Sequence, residues 1–180
     1  MSLVWCGIVL LKLDMETSCI RPDSIQSRQK MMVWGCLTAN GKGPLVFLEG
    51  GITASRYVAL LRDHLLPFID GLPLSRSLHV QFQQDNATPH KAHATMAFLA
   101  DHGISTPLWP AMSPDLNPIE NCWALMKNFV RKQATASPEG LRCAIQQAWE
   151  KIITPSLCQQ LYKSMRSRMN TIISHHGLRL

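Results

Sequence analysis

From Ser113 to Glu120 the chain reads Ser-Pro-Asp-Leu-Asn-Pro-Ile-Glu, a run that leaves the backbone few choices. A proline locks its own φ and pushes the preceding residue out of the helical region. Pro114 and Pro118 therefore make a rigid loop that enters a helix only at Pro118. Asn117 is then the N-cap, Pro118 the first helical residue and Glu120 the third. A second acid is placed as narrowly. Leu78, Val80 and Phe82 alternate with polar neighbours and predict a strand over Leu78–Phe82, with Asp85 just past its C-terminal end. Open α/β sheets hold their ligands at that end of the strands. Ile104–Trp109 reads as another short strand. Between Asp85 and Glu120 lie 34 residues. Taken singly, Asn-Pro-x-Glu is also an ordinary helix cap and Asp-Asn an ordinary turn.

Around this pair the chain alternates strands and helices. Ile8–Leu13 reads as a buried strand ending at Asp14. Met31–Leu37 and Pro44–Leu48 flank a turn, Thr-Ala-Asn-Gly-Lys-Gly, and predict a β-hairpin with Lys42 at its tip. After Gly50-Gly51, Thr53 is an N-cap, with Ile52 and Tyr57 as a hydrophobic staple. Tyr57, Leu60, Leu61, Leu65 and Phe68 follow helical spacing. Pro89–His102 predicts a helix stopped by Gly103. Pro118–Gln133 is amphipathic, with Ile119, Trp123, Met126 and Val130 as its core stripe. Glu120, Lys127 and Arg131 fall on another face, with Lys132 beside them at the helix end. Pro138–Ile153 and Pro155–Ser174 predict two last helices, covering the sheet or a neighbouring copy of the chain. This order predicts an α/β fold with a mixed central sheet flanked by helices. Leu78–Phe82 is expected at its centre, beside the N-terminal strand.

A chain of 180 residues suits one domain, and its net charge of +6 suits a polyanionic partner. The six cysteines form no C-x-x-C pair, which argues against a zinc site or a disulfide framework. No apolar run is long enough to span a bilayer, so no membrane partner is expected.

Gln84-Asp85-Asn86 with His90, the 34-residue interval, and Ser113-Pro114-Asp115-Leu116-Asn117-Pro118-Ile119-Glu120 with Trp123 resemble the catalytic core of mariner-type transposases. These form the Tc/mariner group of the DDE superfamily endonucleases, built on an RNase H-like fold. Met32-Val33-Trp34-Gly35-Cys36 with Gly41-Lys42-Gly43 is similar to the same family's second strand and hairpin. Ser164-Met165-Arg166-Ser167-Arg168 is similar to its C-terminal helix. The likeness runs from about Cys19 to Gly177. It divides the chain into a degenerate or truncated N-terminal strand region, 1–30, and a catalytic domain, 31–177.

The resemblance implies DNA as partner, the nucleus as workplace, and cleavage and strand transfer at transposon ends. It implies Asp85 and Glu120 as ligands of Mg²⁺ or Mn²⁺, and Asn86, His90, Asp115 and Asn117 as supporting residues. Lys42, Lys127, Arg131 and Lys132 are the expected DNA contacts, and a homodimer is a possible assembly. For His90, a hydrogen bond that positions the Asp85 loop is preferred to metal ligation, because hard cations favour oxygen. The family's first catalytic aspartate stands on the first strand in a Ser-Asp-Glu-Ser-like motif, which this sequence lacks. Asp14 either replaces it or the residue has been lost. The family's helix-turn-helix DNA-binding region is missing from the sequence as well. The expectation is weak metal binding with impaired cleavage. The alternative is an inactive, transposon-derived remnant that binds DNA or dimerises.

Overall fold

Strand alternation and a tight turn build a four-stranded sheet. The computed structural model describes residues 2–13, 29–72, 80–108, 116–133 and 137–174. β1 (Ser2–Leu13) is longer than the predicted Ile8–Leu13. β2 (Gln29–Thr38) and β3 (Gly41–Leu48) form the expected hairpin. Thr38 Oγ1 closes its turn, accepting from the Asn40 amide at 3.2 Å and donating to the Gly41 carbonyl at 3.3 Å. β4 (Val80–Gln83) completes the order β3-β2-β1-β4, antiparallel except where β1 and β4 run parallel.

β4 lies beside the N-terminal strand as expected, but it ends this order instead of sitting at its centre. The other predicted short strand, Ile104–Trp109, makes one bridge. The Ser105 amide donates to Val80 O at 3.1 Å and the Phe82 amide to Ser105 O at 2.8 Å. The next donor would be residue 107, a proline with no N–H, and the ladder stops there. Trp109 lies outside the described residues.

Helices cover both faces. On one, Trp34, Cys36, Val80 and Phe82 pack with α1 (Ala54–Leu60), α2 (Leu66–Asp70) and α4 (His93–Asp101). Thr53 caps α1 as predicted, accepting from the Arg56 amide at 3.3 Å. The predicted single helix here widens into a π-helical turn over Leu61–Leu65, where the Leu66 amide reaches back to Leu61 O. Pro67 lacks the amide that an α-helix would use, and the wider turn absorbs the mismatch. The predicted helix Pro89–His102 is broken too, into α3 (Thr88–Lys91) and α4, with Ala92 extended between them. Side chains have taken the carbonyls that would carry the helix on. Thr95 Oγ1 donates to Pro89 O at 2.7 Å, and Gln84 Nε2 to His90 O at 3.3 Å.

On the other face, Val33 and Leu37 pack against α5 (Pro118–Arg131), α6 (Pro138–Ile152) and α7 (Pro155–Ser174). A Cβ at Gly35 would lie 2.8 Å from Trp123 and 3.1 Å from Trp149, so glycine is what lets both indoles close on the sheet. The two rings stack with centroids 5.6 Å apart. On α7, Leu161 and Met165 are buried, whereas Met169 is exposed.

Lys42 does not stand free at the hairpin tip. Its ammonium donates to Trp149 O at 3.0 Å, Glu150 O at 2.9 Å and Glu150 Oε2 at 2.6 Å. A cation at the C-terminal end of α6 meets the negative end of the helix dipole, so this lysine fastens the hairpin to α6.

Candidate active site

Asp85 stands two residues beyond β4, and its carboxylate is held from one side. His90 Nδ1 lies 2.5 Å from Oδ1 and 3.2 Å from the Asp85 carbonyl. The Ala87 amide donates to the same Oδ1 at 3.0 Å. Neither contact uses Oδ2. The His90 hydrogen bond is the main reason that Asp85 titrates below the ordinary aspartate range. Burial opposes it, and the imidazole's charge and the Ala87 amide add to it. His90 itself is buried, on α3.

Glu120 comes to the same place from α5. Asn117 caps that helix, its Oδ1 accepting from the Ile119 amide at 3.4 Å, while the Glu120 amide donates to Asn117 O at 3.0 Å. Glu120 is half-buried, and burial raises its pKa. Lys127, seven residues along the helix, lowers it, and the charge of Asp85 raises it again. The two carboxylates are thus electrostatic neighbours, brought together from a strand end and a helix start. Asn86 is exposed beside Asp85, and Asn117 is buried under the start of α5. Arg131 and Lys132 are exposed at the far end of α5, with Arg131 Nη1 donating to Asn128 Oδ1 at 3.4 Å. Asp14 and Asp115 lie outside the described residues. Among the described residues, no three His, Cys, Asp or Glu side chains come together as a metal cluster.

Two residues not expected at this site stand behind it. Tyr57 Oη donates to Gln84 Oε1 at 2.9 Å, and the Tyr57 ring lies against that of His90, centroids 4.3 Å apart. The signal for Tyr57 was slight: a tyrosine on a core stripe must find its hydroxyl a partner.

The raised pKa of Glu120 has a sign that can be checked. Unfolded, a glutamate titrates at about 4.3. Folded, it titrates higher, so holding Glu120 ionised costs stability above its folded pKa, and the cost vanishes below the unfolded one. Glu120→Gln is expected to raise the melting temperature of the metal-free protein at pH 7, with the gain fading as pH falls to 4. Thermal scans of both proteins across that range measure it; an equal gain at pH 4 would refute this origin.

Comparison with known proteins decides the family. A family model described as DDE superfamily endonuclease matches residues 18–142. The chain belongs to that family. Within it the chain is a catalytic domain of the Tc1/mariner transposase type. It is 34% identical over 149 residues to the transposable element Tc3 transposase of Caenorhabditis elegans, a match covering 82% of this chain and 44% of the relative. The chain spans about half the length of the curated relatives it matches. Its fold is that of the Mos1 transposase, as in the crystal structure of a pre-cleavage Mos1 transpososome. There the TM-score is 0.84 at 19% identity, covering 99% of this chain and 56% of that one. The Mos1 transposase catalytic domain with raltegravir and Mg gives a TM-score of 0.83 at 18% identity, covering 99% and 85%. The fold is therefore RNase H-like, as the resemblance implies.

Proposed function

We propose that this chain carries the metal and DNA site of a Tc1/mariner transposase, with its cleavage chemistry impaired by the loss of one carboxylate. The observation that carries the reading is the convergence of Asp85 and Glu120, close enough that the charge of Asp85 raises the pKa of Glu120. The donors fit a hard divalent cation. Both are carboxylates, Asp85 Oδ2 is spared by its protein partners, and a cation would relieve their repulsion. Mg²⁺ or Mn²⁺ bound there would supply Lewis-acid activation of a water or 3′-hydroxyl and would neutralise charge at the leaving oxygen. The chain's own part is to hold both carboxylates ionised and aimed, and to present phosphate-binding cations beside them. Lys127 lies between the acids and the exposed Arg131 and Lys132, which suits a DNA backbone lying along α5. Lys42 is assigned instead to holding the hairpin on α6.

The impaired reading is supported by β1. Ser2–Leu13 contains no acid, and it pairs with β4 as Trp5↔Gln83. Continuing that offset by two residues sets Gly7 level with Asp85. Leu13 is then six residues farther along the strand, roughly 20 Å at the usual rise. No residue of the described strand can therefore supply the first carboxylate, which supports its loss. The catalytic-type unit is accordingly read as 31–177 together with β1. The nucleus, where DNA is met, remains the proposed location. A second copy of the chain is a further proposed partner, with Tyr162 and Met169 as large exposed apolar side chains on α7.

The test has a metal arm and a DNA arm. Mn²⁺ titrated into the protein and followed by electron paramagnetic resonance should show weak binding that Asp85→Ala and Glu120→Ala each remove. Duplex DNA should bind without sequence preference and lose about 40-fold in affinity between 50 and 200 mM salt, as three phosphate contacts require. Mn²⁺ binding untouched by both substitutions would overturn the metal site, and salt-independent DNA binding would overturn the α5 surface.

A further inference from the structure

Asp85 is gripped by His90, and His90 is itself gripped by groups that make no contact with the carboxylate. Its carbonyl accepts from Gln84 Nε2 at 3.3 Å. The other end of that amide, Oε1, accepts from Tyr57 Oη at 2.9 Å. The Tyr57 ring lies on the imidazole face, with centroids 4.3 Å apart and planes at 33°. Tyr57 and His90 are essentially inaccessible to solvent, and Gln84 is 8% exposed. Three elements are joined in this way: α1 through Tyr57, the end of β4 through Gln84, and α3 through His90.

Each link fixes one degree of freedom of the next. A Gln amide can flip, but the His90 carbonyl can only accept and so selects the orientation with Nε2 toward it. That choice turns Oε1 to Tyr57 Oη, whose donated hydrogen bond holds the amide in place and ties α3 to the strand end and α1. The Tyr57 ring then fixes the plane of the imidazole. With its plane and its backbone both fixed, the ring places Nδ1 against Asp85, where both neighbouring atoms are acceptors, so Nδ1 carries the proton. We propose that Tyr57 and Gln84 are positioning residues for Asp85, acting through His90 to hold Oδ1 and leave Oδ2 turned outward for a cation. The proposal rests on the metal-site reading for its consequence, but its geometry does not need a metal. Buried second partners of this kind commonly change metal affinity by about 10- to 100-fold when removed.

Tyr57→Phe is the discriminating variant. It keeps the ring against His90 and removes only the hydroxyl that holds the Gln84 amide. Gln84→Met removes the amide at similar volume. Two readouts are taken on the whole chain, with thermal melting as a check on folding. The first is the proton resonance of His90 Nδ1–H in metal-free, ¹⁵N-histidine-labelled protein, which a short hydrogen bond to a carboxylate moves far downfield. The second is the Mn²⁺ dissociation constant from electron paramagnetic resonance. In wild type the resonance is expected to be sharp and downfield. Tyr57→Phe is expected to broaden it or move it upfield and to weaken Mn²⁺ about tenfold in a folded protein. The double variant should cost no more than the worse single one, because the links act in series. A His90 resonance unchanged by Tyr57→Phe overturns the proposal, whatever the melting temperature does. If the wild type binds Mn²⁺ no better than Asp85→Ala, the metal-site reading is what has failed, and the His90 resonance alone decides the positioning role.

Discussion

Trp123→Ala is expected to cost about 3–5 kcal/mol, the range for truncating a large buried aromatic. For a chain of this size that lowers the melting temperature by roughly 6–20 °C. The indole is fully buried, stacks on Trp149 and sits directly over Gly35. Its removal leaves a hole that the sheet cannot fill, because the position beneath it has no side chain. The effect reaches the site, since Trp123 is one turn beyond Glu120 and seats the helix that carries it. Trp123→Phe should recover most of the loss. The indole Nε1 is buried without a hydrogen-bond partner, so phenylalanine gives up ring area but also removes an unpaired donor. Thermal melts of the three proteins measure it. A phenylalanine variant as unstable as the alanine one would show that indole shape, and not apolar volume, is what the sheet requires.

Local chemistry was legible in the sequence wherever one residue determines one turn. The Asn117 cap, the Thr53 cap, the hairpin closed by Thr38 and the stop at Gly103, with its φ of +67°, all follow from residue types within a few positions of each other. What the sequence hid depends on partners far along the chain. Lys42 looked like an exposed turn lysine because its acceptors are 107 and 108 residues away. The break at Ala92 depends on Gln84 and Thr95 taking backbone carbonyls, which helix propensity does not register. The site shows the same division. Its two acids were visible from a strand end and a helix start, but the Tyr57–Gln84 support behind them was not.

The register of β1 leads to the largest change expected of any single substitution. Gly7 pairs with Gly35 on β2, and directly paired residues of an antiparallel ladder share a face. Gly35 faces α5 through Trp123, so Gly7 lies on the α5 face of β1, and the β1–β4 offset, continued two residues past the last pair Trp5↔Gln83, would set it level with Asp85. A carboxylate grafted there would complete a set with Asp85 and Glu120. In a nicking assay on supercoiled DNA with Mg²⁺ or Mn²⁺, the unaltered chain is expected to cleave barely or not at all. Gly7→Asp is expected to raise the rate by about 100-fold or more, the scale on which one electrostatic stabiliser counts in catalysis. Asp85→Ala or Glu120→Ala in that background should return it to baseline, and Asp14→Ala should change nothing. Robust nicking by the unaltered chain that Asp14→Ala abolishes would reverse the assignment and make Asp14 the third ligand. Robust nicking insensitive to Asp14→Ala would point to another acid, with Asp23 the next to replace. A Gly7→Asp protein that folds, binds Mn²⁺ more tightly and still does not cut would separate metal binding from catalysis and place the defect elsewhere in the site.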